Sequence, residues 1–133
     1  MSKVFADTFL YVALLNRHDM CHTKAAVFVG SLQSEIVTTE WVLAEVADAF
    51  AASAVRPRIK TFIEELRANR LVKVIEADSS LFRRGLDLYH ARPDKEWSLT
   101  DCTSFVVMQE LHLNDAATGD RHFEQAGYRA LLL

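Results

Sequence analysis

The chain has 133 residues, with 15 basic and 18 acidic side chains giving a net charge of −3. Half of it is hydrophobic and a quarter charged, with four glycines and two prolines. This excludes a disordered tail or fibrous repeat and fits a single globular domain over residues 1–133. The slight acidic excess argues against a passive protein that coats nucleic acid with basic surface. No apolar run approaches the roughly 18 residues of a membrane span, so no membrane partner is expected. Met1-Ser2-Lys3-Val4 lacks the h-region of a signal peptide, and Cys21 and Cys102 are lone thiols without C-x-x-C pairing. Both features point to the cytoplasm.

Short apolar runs alternate with helical periodicity, which predicts an α/β fold with a mostly parallel sheet covered by helices. Val4–Ala6 reads as a strand stopped by Asp7-Thr8, and Phe9–Leu15 as a buried helix. A second helix is expected around Thr23–Leu32, a strand over Glu35–Thr39 and an Ala-rich helix over Trp41–Ala52. In residues 57–69, Ile59, Phe62, Ile63 and Leu66 fall at i, i+3, i+4 and i+7, with Pro57 suited to the first turn. Leu71–Ile75 predicts a strand. Asp78 or Ser79 can cap a helix carrying Leu81, Phe82, Leu86 and Tyr89. A polar connection over Pro93–Trp97 leads to a helix over Leu99–Leu111. A short strand at Ala116–Thr118, a helix over Arg121–Ala126 stopped by Gly127, and a last strand over Ala130–Leu133 complete the chain.

There is no Gly-rich phosphate loop, H-E-x-x-H or G-x-S-x-G. What carries chemistry is a set of acids at strand-to-helix junctions. Asp7 follows the first strand, where open parallel sheets bind ligands, although taken alone it is better explained as a helix N-cap helped by Thr8. Glu45 lies in WVLAEVADAFAA, apolar on nearly every side, with Trp41 and Ala49 at i±4 and thus no basic partner along the helix. A helix hydrophobic all round is buried, and a carboxylate there must be paired or bound to metal; the plainer reading is a solvent stripe shared with Asp48. Asp101 stands three residues after Ser98, as in a capping box. Asp120 follows the short penultimate strand and also suits an N-cap, with Asp115 and Asp94 as competitors. Clustered carboxylates repel one another unless a divalent cation holds them, and hard cations such as Mg²⁺ and Mn²⁺ take oxygen ligands. With these four acids set aside, 14 acids face 15 bases, a nearly neutral remainder compatible with a phosphate-bearing substrate.

VFADTFLYVALL (4–15), TTEWVLAEVADAF (38–50), DKEWSLTDCTSFVVM (94–108) and TGDRHFEQAGY (118–128) resemble, in order, segments of the PIN-domain family, most of all its VapC-type toxins. Asp7, Glu45, Asp101 and Asp120 match the family's acids, and Thr8 and Ser104 match polar positions that line such sites. Gly119 departs from the pattern, which carries a bulkier residue there. The resemblance implies a three-layer α/β/α domain and an endoribonuclease in which the four acids hold Mg²⁺ or Mn²⁺. It also implies hydrolysis of RNA to 5′-phosphate and 3′-hydroxyl ends, a homodimer, and a small antitoxin threaded over the acidic crevice. The alternatives are a PIN-type RNA-processing nuclease without an antitoxin and a catalytically silent interaction domain, with a phospho-accepting receiver domain more distant.

Arg17, Lys24, Arg92, Lys95 and Arg121 are available to hold RNA. His18, Cys21 and His22 share a helix face but lack the fourth ligand of a closed zinc site. His122 reads as a surface or packing residue before it reads as a general acid, and Trp41 and Trp97 read as packing anchors.

Overall fold

The computed structural model describes residues 2–133. Five strands form one sheet: β1 (Lys3–Ala6), β2 (Glu35–Thr39), β3 (Val72–Ile75), β4 (Asp115–Ala117) and β5 (Arg129–Ala130). Their spatial order is β3-β2-β1-β4-β5, and every pairing is parallel. The expected mostly parallel sheet is thus parallel throughout. Parallel neighbours need helical crossovers. These are α1 (Thr8–Leu15), α2 (His22–Ser31), α3 (Glu40–Ala49), α4 (Ile59–Ala68), α5 (Ser79–Ala91), α6 (Leu99–Glu110) and α7 (Arg121–Gln125). The result is the three-layer α/β/α arrangement expected from the sequence.

The central strands are the most apolar. Phe5, Ala6, Ala116 and Ala117 are completely buried, in register as Phe5 opposite Ala116 and Ala6 opposite Ala117. Beside them α6 is buried from Asp101 to Met108 without a break. Its polar members therefore need partners, and Thr103 finds one by donating to the Thr100 carbonyl at 2.8 Å. Gly85 lets α5 approach α6 closely, because a Cβ there would stand 2.5 Å from Thr103 Cγ2.

Several expected boundaries move. Pro57 lies in a separate 3₁₀ turn, Arg56–Arg58, ahead of α4. The last strand begins at Arg129 and is two residues long. The Ala-rich helix stops at Ala49, where Phe50 turns into the core. Nor is α3 buried all round. Val42, Leu43 and Val46 face inward while Ala44, Asp48 and Ala49 are exposed. Alanine counts as apolar in a periodicity reading but loses little by facing water, so the helix looked more buried than it is. On α5 only Leu81 of the four expected apolar residues is buried. Phe82, Leu86 and Tyr89 remain 39–51% exposed.

Candidate active site at the switch point of the sheet

The strand order reverses direction between β1 and β4. Crossovers leave these two strands on opposite sides, which opens a crevice beyond their carboxyl ends. Asp7 follows β1, and Thr118 to Asp120 follow β4. Topology alone therefore brings together residues more than a hundred positions apart.

Asp7 is 4% exposed. It occupies the N-cap position of α1, but its side chain makes no capping hydrogen bond. Oδ2 instead accepts from the Thr118 hydroxyl at 2.9 Å. Burial pushes its carboxyl up to about 7 against an ordinary 3.8. The Thr118 hydroxyl and the Thr8 N–H draw it down by less, and the negative fields of Asp101 and Asp120 push it further up. Without added positive charge this carboxylate is under strain at neutral pH.

Thr118, fully buried, joins two of the acids. Its Oγ1 donates to Asp7 and accepts the Asp120 backbone N–H at 3.0 Å. Asp120 in turn caps α7, with Oδ1 accepting the His122 N–H at 2.8 Å. That cap swings the His122 ring inward, so that Nδ1 lies 3.0 Å from Asp101 Oδ2 and 3.5 Å from Asp120 Oδ1. Asp101 completes the expected capping box. Its N–H donates to Ser98 Oγ at 3.0 Å, and its Oδ2 accepts the Ser98 N–H at 3.1 Å. Among the described residues no donor reaches Asp101 Oδ1, which leaves that atom for a ligand.

One ligand atom each from Asp101, Asp120 and His122 lies within 4.8 Å of the others, a spacing that suits a metal ion. Two further atoms fit the same purpose. The hydroxyls of Thr8 and Ser104 are buried and without a hydrogen-bond partner among the described residues. Thr8 adjoins Asp7, and Ser104 shares a helix face with Asp101 at i+3. Orphaned hydroxyls beside a strained carboxylate are what a hydrated cation would satisfy. The donor set is mainly oxygen, as hard divalent cations require.

Of the four acids singled out in the sequence, Asp101 and Asp120 belong to the metal-spaced group, and Asp7, outside that group, is tied to Asp120 through Thr118 and feels the fields of both. Glu45 is half-buried on α3 and makes no hydrogen bond or ion pair among the described residues. Two further residues belong to the site: Thr118, which the sequence pattern does not single out, and His122, which reads there as a surface or packing residue. The Asp120-x-His122 spacing held a signal for the histidine, because a side chain that caps a backbone N–H two residues on draws that residue toward itself. Nothing in the sequence marks Thr118, whose role depends on strand order. Gly119 has a physical reason for departing from the family pattern: a Cβ there would stand 2.5 Å from the Phe9 ring, so aromatic bulk from α1 fills the space. The His18, Cys21 and His22 group is no metal site. His22 Nδ1 is engaged by the Ala13 carbonyl at 2.8 Å, and the cluster at Asp101 is the one candidate among the described residues.

No protein-family model matches the chain. Among characterised proteins, it is 26% identical over 125 residues to the 23S rRNA-specific endonuclease VapC20 of Mycobacterium tuberculosis, in strains CDC 1551 and H37Rv alike. The match covers 94% of this chain and 95% of that protein. The crystal structure of M. tuberculosis VapC20, described as a sarcin–ricin loop cleaving toxin, superposes with a TM-score of 0.84 at 25% identity. It also covers 94% of this chain and 95% of that one.

Proposed function

We propose that this chain, a PIN-domain protein of the VapC type, is a Mg²⁺- or Mn²⁺-dependent endoribonuclease and the toxin of a toxin–antitoxin pair. The observation that carries the chemistry is the metal-spaced Asp101–Asp120–His122 group at the sheet's switch point, with buried Asp7 joined to it through Thr118. A hard divalent cation bound there supplies positive charge for a phosphodiester and makes a coordinated water more acidic. Asp7, Asp101 and Asp120 are the residues that would hold it, with Glu45 on α3 as the remaining acid of the set. Thr118 orients Asp7 and ties it to Asp120. His122 fixes Asp101 through Nδ1. Thr8 and Ser104 offer hydroxyls to ordered water. Glu45, free of protein partners among the described residues, is the residue suited to orient the attacking water and take its proton. Attack in line breaks the P–O3′ bond, and the departing 3′ oxygen takes a proton, leaving 5′-phosphate and 3′-hydroxyl ends.

A structured loop of 23S rRNA is the proposed substrate, after the relative's activity, and a cytoplasmic location follows from that target. A small antitoxin is the proposed regulator. A homodimer is the proposed assembly, supported by the exposed apolar stripe of Phe82, Leu86 and Tyr89 on α5. The decisive experiment incubates the purified protein with a sarcin–ricin loop RNA hairpin, with Mg²⁺, with Mn²⁺ or with chelator. Cleavage that needs the metal and vanishes in Asp7→Asn and Asp101→Asn is the expected result. Equal cleavage by the variants, or none by the parent, overturns it.

A further inference from the structure

A recess opens under the loop that leads into α6, the helix that carries Asp101. The loop between α5 and α6 turns sharply, with the Lys95 N–H donating to the Arg92 carbonyl at 3.1 Å. Beneath the turn lies a cavity of about 360 Å³, bordered by His90, Arg92, Lys95, Trp97 and Cys102. Its floor belongs to the site's own scaffold, since Cys102 directly follows Asp101 and Trp97 directly precedes the Ser98 cap. The Trp97 ring is 6% exposed and held from two sides. Nε1 donates to Gln125 Oε1 at 3.0 Å, on the short helix that also carries His122, and the ring packs T-shaped with Phe105, their centroids 5.0 Å apart. Trp97 is thus a fixed wall, and Arg92 lies over it with Cζ 5.1 Å from the ring centroid. The guanidinium is pre-oriented by cation–π contact.

The chemistry of the recess is that of an anion site. Arg92 and Lys95 border it together with His90, against Glu96 in the lining and Asp94 on the turn. A carboxylate already tests the guanidinium fork. Asp94 accepts from Arg92 Nε and Nη2, at 3.0 Å each, and lies 3.8 Å from Lys95 Nζ. Two parallel N–H···O bonds are how an arginine also takes a phosphate. Arg92 and Asp94 are 41% and 58% exposed, and an ion pair so open to water is readily exchanged for another anion.

We infer that the cavity under the Arg92–Trp97 turn is a phosphate subsite for the RNA backbone, one residue along α6 from the acid cluster, and that Asp94 is its built-in competitor. The inference rests on the ribonuclease reading above. RNA binding displaces Asp94 from the Arg92 fork and places a phosphodiester on Arg92 and Lys95. The strand is then anchored on positive charge while another linkage of the same strand meets the acids. Asp94 holds the fork in shape when no RNA is present and weakens non-specific binding.

The test measures binding of a labelled sarcin–ricin loop hairpin and of oligouridylate across salt concentrations, in an Asp7→Asn background to prevent cleavage. Arg92→Ala with Lys95→Ala should weaken both RNAs about tenfold and lower the log–log salt slope by about one to two. Asp94→Asn should tighten both RNAs several-fold, a direction that lost packing cannot imitate. Lys60→Ala on α4 should change nothing. An unchanged slope in the double variant, or weaker binding by Asp94→Asn, overturns the subsite. Binding of inorganic phosphate as tightly as RNA overturns it too, assigning the cavity to a free anion. If Arg92→Ala in the otherwise unaltered protein cleaves RNA as the parent does, the subsite falls while the nuclease stands. If no variant binds RNA and the parent cleaves none, the ribonuclease reading falls and takes the subsite with it.

Discussion

Asp7 and Asp94 are the same side chain at opposite electrostatic extremes. Asp7 is buried at the end of β1, and desolvation raises its carboxyl to about 7. Asp94 is open to solvent, and the Arg92 guanidinium holds its carboxyl below the ordinary range. One lacks a cation and the other has its own. The difference shows what burial does to a functional carboxylate: Asp7 is poised to gain from a positive charge brought from outside, whereas Asp94 must be released from a positive charge already present. The two regions divide the work that a phosphodiester requires, chemistry in the crevice and grip at the turn.

The largest effect that sharpens this contrast is on turnover. Asp7→Asn or Asp101→Asn removes one of the carboxylates proposed to hold the cation. Several kcal/mol of transition-state stabilisation should go with it, about a thousandfold in rate. Gel analysis of hairpin cleavage at saturating Mn²⁺ checks this, and a loss below about tenfold would remove these acids from the centre.

The next effect is on stability against pH. Asp7 titrates near 7 when folded and near 3.8 when unfolded, so the metal-free folded state binds its proton more tightly. The stabilisation is therefore complete below the unfolded value and is lost as pH rises through about 7. Integrated over that window the Asp7 contribution amounts to a few kcal/mol. Melting in chelator from about pH 5 to about pH 8 should show the decline, and Asp7→Asn should flatten it and melt higher than the parent at the alkaline end. Mn²⁺ should restore the parent at alkaline pH and leave the variant nearly unmoved. A pH-independent parent would mean that Asp7 is not strained.

A smaller effect separates the floor of the crevice from its acids. Gly119→Ala sets a methyl against the Phe9 ring, and overpacking of this kind costs about 1–3 kcal/mol. Phe9→Leu in the same chain should recover part of the loss, because the two sites share one volume. Denaturant melts of the two single variants and the double variant measure that coupling, and strict additivity would show that ring and glycine do not compete for space.

Much of this organisation is legible in the residues. Alternating runs announce the layers, and Asp7 and Asp120 each stand where a strand hands over to a helix, while Asp101 lies in the first turn of α6, which follows α5 across a loop. Strand-to-helix junctions converge in space when the strands are parallel. The Ser98–Asp101 capping box is likewise readable, since its partners are three residues apart. The Thr118–Asp7 bond is not, because it spans 111 positions and exists only once β4 lies beside β1. The half-buried state of Glu45 was hidden by alanines that look apolar in a pattern and sit at the surface in the fold. Arg92 and Lys95 could be named as candidates for holding RNA, but the cavity beneath them depends on how Trp97 docks against α7.

The last prediction concerns Asp94, where the smallest effect carries the most discrimination. The Arg92–Asp94 pair is about half exposed to solvent, and its two partners move their ionisations in the mutually favourable direction, Arg92 up and Asp94 down. In that setting water and salt replace either partner easily. Asp94→Asn should therefore melt with the parent at every pH, within error, in the same calorimetric scans that separate Asp7→Asn from it. If Asp94→Asn melts markedly lower, the pair is a structural clamp on the α5–α6 turn, and the Arg92 fork is not available to a phosphate. Unchanged melting combined with tighter RNA binding leaves one account: the aspartate's contacts matter to the partner it keeps away, and little to the fold that displays them.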